Sequence, residues 1–381
     1  MTAPYQLVFM PYLALGDRDR IQIGNVEIWN YDRQKTLIGN DPLRARVDEL
    51  LAMYRQNGRD AAKSARLRNI GIVIVGGDCG LRHLSNDEFG KVQEARHLLF
   101  LCCLSRNCLL RGPNAGHMMI TSENFEIVRQ NFGLDSPYLS EVTGAILQIH
   151  IGGYTLSDTK FTKPAYVNLP VRFETDELLL EALLSLRGSN PTLFRRITRA
   201  AGLFLESYYN SHSVDMGARV LLQAAAYEVL FELPENGQRK TFKDQIEALM
   251  NVKGERVYEY RYEARAGSRR EHRTLKGIWA DRFYTLRNHI IHGEDVSPRE
   301  FRFLRAQHHL TISPLMFSQC VKRLVDAELQ SREQRKCFFE RVDWTVIQKK
   351  NEDEPCQVGF EAHTDFGARI QKWIDDGGTL T

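Results

Sequence analysis

Three side chains close together near one predicted helix end could do chemistry: Arg287, Asn288 and His292. An imidazole, with a reference pKa of about 6.5, exchanges a proton near neutral pH. A guanidinium makes two directed hydrogen bonds to carboxylate or phosphate oxygens, and an amide, which does not titrate, orients either partner. The same residues equally describe a solvated helix face that ends in a histidine. Spacing alone does not choose, because Arg followed by His after a short interval recurs at Arg111 and His117, Arg265 and His272, and Arg302 and His308.

The element that must position them is a helix expected over Leu275–His292. At about 100° per residue, Trp279, Phe283, Leu286 and Ile290 share one narrow arc that faces a core. Asn288 and His292 fall nearly opposite that arc, and Arg287 sits on its flank beside Tyr284 and Ile291. Gly293 follows where helices commonly end in a left-handed residue, which puts His292 among the unpaired carbonyls of the last turn. Arg287 and His292 stand about 140° apart around such a helix, so one copy does not close round a phosphate.

The rest of the chain divides by pattern. Tyr5–Phe9, Val26–Trp29 and Ile70–Val75 read as short strands, with a helix near Pro42–Arg55 between the last two. Lys91–Leu110 is apolar nearly all round and reads as a core helix. A further strand is expected at Thr143–Ile151, then a loop over Gly152–Pro170. After it come helical segments at Asp176–Leu186, Pro191–Asn210, Ser213–Leu230, Thr241–Met250 and Ser313–Arg332. The tail holds a strand at Trp344–Gln348 and a short helix near Ile370–Ile374. The expected fold class is therefore α+β: a mixed strand and helix domain over residues 1–170, an all-α bundle over 171–340, and a C-terminal extension over 341–381. With 381 residues, two domains are the default, and each can bury a core without disulfide staples.

The helical half resembles the HEPN family. Its members are small helical bundles that usually pair and carry an Arg, a polar residue, three further residues and a His at a helix end. Here that run reads Arg287-Asn288-His289-Ile290-Ile291-His292. The surroundings resemble the Apea-like branch: the run Gln223–Phe231 on an earlier helix, Phe283–Leu286 leading into Arg287, and a Gly after His292. The resemblance covers about Leu193–Gln330, and residues 1–170 resemble no family. It implies an endoribonuclease in which the ribose 2′-hydroxyl attacks its own phosphate, leaving cyclic phosphate and 5′-hydroxyl ends without a metal or cofactor. It assigns proton transfer to His292, phosphorane stabilisation to Arg287 and positioning to Asn288. Glu228 sits inside an apolar helical run, where it either braces Arg287, as an acid commonly does in the family, or marks a face that meets water; His289 is the other candidate supporting residue. The resemblance also implies a homodimer with a composite cleft and a prokaryotic setting in phage defence or toxin-like growth arrest; the size and different composition of the N-terminal domain suggest a sensor or restraint that takes a regulatory partner or ligand. A non-catalytic module that binds RNA, a nucleotide or a protein is the alternative, since a fold does not fix activity.

A second feature bears on RNA. Residues 255–276 hold seven Arg or Lys against four Glu, with Tyr258, Tyr260 and Tyr262 interleaved. Arg261, Arg265, Arg269, Arg270, Arg273 and Lys276 could contact single-stranded RNA; the same alternation describes an exposed hairpin with ordinary ion pairs. His289 and His292 with Glu294 and Asp295 make a poor metal set, because two histidines three apart lack the HExxH context. Gly76–Gly80 lacks the Lys-Ser/Thr of a P-loop and reads as a turn. The net charge of +3 announces no nucleic-acid binder, so any such role rests on local patches. Seven cysteines without paired spacing read as reduced thiols. No apolar stretch is long enough to span a bilayer, and no signal segment is visible, so the expectation is a cytoplasmic protein with no membrane partner.

Overall fold

The computed structural model describes residues 5–56, 65–68, 70–77, 81–115, 120–134, 139–142, 149–150, 161–163, 174–208, 215–250, 257–264, 267–304 and 307–331. The chain forms two compact units. One comprises Met1–Cys103, Met118–Leu180 and Tyr208–Ser211; the other comprises Leu104–His117, Glu181–Ser207 and the chain from His212 onward. The division thus cuts through two helices rather than falling in a single linker.

The first unit contains β1 (Tyr5–Ala14), β2 (Arg20–Ile23), β3 (Val26–Asn30), α1 (Tyr31–Gln34), α2 (Asp41–Ala52), β4 (Tyr54–Gln56), β5 (Ala65–Arg66), β6 (Ile70–Val75), most of α3 (Asn86–Ala115), β7 (Val128–Phe132), β8 (Leu139–Val142), β9 (Ile149–His150) and β10 (Phe161–Lys163). Seven strands form one sheet in the order β2-β3-β6-β1-β7-β8-β9, and every pairing in it is antiparallel. Its interior strand β6, sequence IGIVIV, is buried at every position, which is why it reads as a continuous apolar run rather than an alternation. One face packs Leu7, Phe9, Ile72, Ile74 and Phe132 against Leu43, Val47, Leu50 and Leu51 of α2. The Asn40 side chain caps α2 by accepting from the Leu43 N–H at 3.1 Å. The helix expected near Pro42–Arg55 ends earlier, and Tyr54–Gln56 joins a small sheet, β10-β4-β5. β10 lies inside the segment expected to be loop; it was missed because three residues carry too little pattern. The core expectation for Lys91–Leu110 fits α3, where Leu98 through Ser105 are all fully buried.

The second unit carries α4 (Glu177–Ser189, shared with the first), α5 (Pro191–Glu206), α6 (Met216–Phe231), α7 (Gln238–Leu249), β11 (Val257–Ala264), β12 (Gly267–Thr274), α8 (Leu275–Ile291), β13 (Arg302–Leu304), β14 (Gln307–His308) and α9 (His309–Ser331). Both strand pairs are antiparallel hairpins, so the half expected to be all-α is helical with two hairpins inserted. The chain as a whole is α+β, as its pattern indicates. Tyr227 of α6 stands at the centre of the helices. Its ring lies 5.1 to 6.3 Å from those of Phe204, Phe231, Phe242, Trp279, Phe283 and Phe317, which come from α5 to α9. Its hydroxyl donates to the Ser313 carbonyl at 2.7 Å, which satisfies the one polar atom that burying a tyrosine brings inside. Among the described residues no helix is long and apolar enough to cross a membrane. The expected elements at Trp344–Gln348 and Ile370–Ile374 lie outside the described residues.

Candidate active site

The N-terminus of α8 is anchored before its chemistry begins. Thr274 caps it, its hydroxyl accepting from the Gly277 N–H at 3.2 Å. Glu247 of α7 in turn takes both the Thr274 N–H and its hydroxyl, at 2.8 and 2.9 Å. Gly277 makes that approach possible, since an added Cβ there would meet the Glu247 carboxylate. The first three turns of α8 are buried on almost every side: Trp279, Phe283 and Leu286 as the wheel predicts, but also Lys276, Ala280, Asp281 and Tyr284. Ile290 is half-buried. His309, the first residue of α9, packs its ring 6.5 Å from Trp279 and 6.0 Å from Phe283. Burial holds that imidazole down at about 3, with Arg282 and His308 acting in the same direction, so it is a neutral core histidine.

The C-terminus is built as a Schellman motif. Gly293 has φ +70°, its N–H donates to Ile290 O, and the Glu294 N–H donates to His289 O at 3.0 Å. The last turn therefore stands at the surface, with Ile291 and His292 exposed and Arg287, Asn288 and His289 half-buried.

Arg287 is held from three sides. Its Nη2 lies 2.9 Å from Glu228 Oε1 of α6, its Nη1 donates to Asn288 Oδ1 at 3.1 Å, and its guanidinium sits 5.2 Å from the centre of the Tyr284 ring. The Tyr284 hydroxyl donates to the same Glu228 oxygen at 2.7 Å, with Gln238 Oε1 2.8 Å away. Burial, then the Glu228 carboxylate, push this phenol above its ordinary range, against the pull of Arg287; it stays a proton donor. Glu228 thus braces Arg287, while Tyr284 and Gln238 complete a cluster that sequence reading missed. Tyr284 stood on the flank of the wheel beside Arg287 and could have been found; Gln238 lies 46 residues from Tyr284, with no periodic signal linking them.

The two histidines differ. His289 Nδ1 lies 3.0 Å from Glu300 Oε2 and its Nε2 3.8 Å from Glu294. Burial pushes the Glu300 carboxyl up, but the Ser297 N–H and His289 outweigh it and hold the group below the usual carboxylate value. The His292 ring has no side-chain partner among the described residues; its backbone N–H donates to Asn288 O at 3.0 Å. Among these residues no group of three or more His, Cys, Asp or Glu is arranged to hold a metal ion.

The basic hairpin is reorganised. Lys276 is buried, its ammonium donating to the Met250 carbonyl at 2.6 Å, so it lies inside the fold rather than on an RNA-facing surface. The sequence suggested otherwise because its neighbours are charged, yet it opens a helix that is buried all round. Arg273 is half-buried and sits against Asp244, Glu247 and Glu271. Arg270 is exposed and paired with Glu259 at 2.7 Å. Arg261 and Arg269 lie on the paired strands, Arg261 opposite Arg270 and Arg269 opposite Tyr262; their side chains, and the whole of Arg265, fall outside the described residues. Tyr258 and Tyr260 are buried, with Tyr260 donating to Asp281. These two belong to the core rather than to a stacking surface. No family model matches the chain, and no curated protein and no solved structure is significantly similar to it.

Proposed function

We propose that the chain is an endoribonuclease of HEPN type whose centre is the last turn of α8. The observation that carries this is the contrast within that turn: Arg287 is fixed by Glu228 and Asn288, while the His292 imidazole one turn on is exposed and unpartnered among the described residues. A pre-oriented cation and a titratable group, brought to one phosphate, are what cleavage by an internal hydroxyl requires. The 2′-oxygen forms a bond to phosphorus as its proton passes to His292. Arg287 meets the added charge on the phosphorane, and Asn288 orients it. The bond to the 5′-oxygen then breaks with a proton supplied to the leaving group, giving a cyclic phosphate and a 5′-hydroxyl. No step as written uses a metal ion.

In this reading two copies face each other through their α8 ends, because Arg287 and His292 point to different sides of the helix. Light scattering across micromolar concentrations is expected to give a dimer; monomer throughout would remove that part of the proposal. The primary test incubates the full chain with total and transfer RNA in chelator and maps the product ends. Cyclic phosphates at defined positions support the proposal, and intact RNA overturns it.

A second reading has one observation in its favour. Glu228 already pairs with Arg287, and a neutralised guanidinium suits a binding module that does not cleave. Glu228→Gln keeps an acceptor for Tyr284 and Arg287 but removes the charge. If Glu228 serves catalysis by orienting Arg287, the variant is expected to lose about tenfold in kcat with KM nearly unchanged, the pattern of a contact used in the transition state. Tighter RNA binding with no cleavage in either protein would instead favour the binding module.

A further inference from the structure

Cleavage of this kind moves two protons, one off the 2′-oxygen and one onto the 5′-oxygen, and the resemblance assigns proton transfer to one histidine per copy, His292. The last turn of α8 holds a second. His289 and His292 are three residues apart, which places them on the same side of the helix with Cβ atoms about 5–6 Å apart. The two are set differently. His289 has Glu300 at 3.0 Å on Nδ1 and Glu294 at 3.8 Å from Nε2, whereas His292 has no side-chain partner among the described residues.

A carboxylate on Nδ1 fixes the ring plane and the tautomer, and supplies a countercharge when the ring is imidazolium. Glu300 itself accepts from the Ser297 N–H at 2.8 Å, which anchors the dyad to the segment that follows α8. The His289 side chain is about one-third exposed, and among the described residues its Nε2 has only the Glu294 carboxylate, at 3.8 Å, to give up for a leaving group. Resting on the ribonuclease reading above, we propose that His289, oriented by Glu300, is the general acid that protonates the departing 5′-oxygen, while His292 accepts the 2′-hydroxyl proton. Both proton transfers then come from one side of one helix end. In the proposed dimer, Arg287 reaches the same phosphate from the second copy.

The test separates acid catalysis from a structural clamp by removing the need for the acid. Two oligoribonucleotides are made for the mapped cleavage site, one with the natural 5′-oxygen and one with a 5′-bridging sulfur, which leaves as thiolate without a proton. His289→Asn keeps a donor for Glu300 but has no Nε2, and His289→Gln serves if the first variant fails to fold. On the oxygen substrate the variant is expected to lose about a hundredfold or more, and on the sulfur substrate less than about threefold. Glu300→Gln should shift the same ratio in the same direction by a smaller factor, and His292→Ala should impair both substrates. Equal losses on the two substrates would reduce the dyad to a clamp on the segment after α8 and overturn the proposal. So would full activity in His289→Asn while His292→Ala is dead, a result that leaves the ribonuclease reading standing. Failure of the wild type to cut either substrate overturns both.

Discussion

Replacing Arg287 with alanine is expected to slow RNA cleavage by about a hundred- to a thousandfold, the cost of losing one electrostatic donor aimed at a developing charge. The loss should appear in kcat, because the guanidinium meets charge that exists only in the transition state. Arg287→Lys should recover little: an ammonium cannot bridge Glu228, the Asn288 amide and a phosphate as a planar fork does. His292→Ala is expected to cost a similar factor through lost proton transfer. Both variants are read by mapped cyclic-phosphate ends in chelator, with melting temperatures measured alongside. Arg287→Ala leaves Glu228 with the Tyr284 hydroxyl as donor, so the fold should hold and the loss be chemical. Unchanged cleavage in either variant would mean that the wrong residues have been chosen.

How much of this site could be read from the sequence depends on the range of the contacts involved. The course of α8 was legible, Leu275–His292 against Leu275–Ile291 in the structure, because periodicity, a C-terminal glycine and a stop are local signals. The exposure of His292 followed from the same wheel. What the wheel could not show is that α8 is covered on nearly all sides in its first turns, since that cover comes from α7 and the β11–β12 hairpin. Lys276 was therefore read as surface charge when it is core. The brace on Arg287 was half legible: Glu228 stood out as an acid inside an apolar run, whereas Gln238 carried no signal. The His289–Glu300 dyad bridges 11 positions through an irregular segment, where no periodicity applies. In the first unit, the strands with strong β-branched runs were found. β2 and β7 were not: β2 alternates strictly but over only four residues, and in β7, sequence VRQNF, one of the buried alternate positions is held by the polar Gln130.

The one acid buried in α8 carries the largest expected effect on stability. Asp281 is 1% exposed and receives both nitrogens of the Arg239 fork at 2.9 and 2.7 Å, the Tyr260 hydroxyl at 3.0 Å, and the charge of Lys243 at 3.7 Å. Lys243 is buried as well and reaches on to Glu271 at 2.9 Å. This network ties the β11–β12 hairpin and α7 to the helix that presents Arg287. An ion cluster of this kind contributes little net stability once its desolvation is counted, but removing a single member strands the others. Asp281→Ala is therefore expected to cost about 3–5 kcal/mol in urea unfolding. Asp281→Asn, which keeps an acceptor for Arg239 or Tyr260, should cost less. Adding Lys243→Met to Asp281→Ala should recover part of the loss, because the double variant no longer buries an ammonium that has lost the Asp281 carboxylate and keeps Glu271, and the recovery gives the coupling between the two residues. A single variant within about 1 kcal/mol of wild type would mean that Glu271 or water makes up for the lost acid. The hairpin and α8 would then be held to α7 by the contacts of Arg273 with Asp244 and Glu247 and of Glu247 with Thr274, with Arg287 positioned by Glu228.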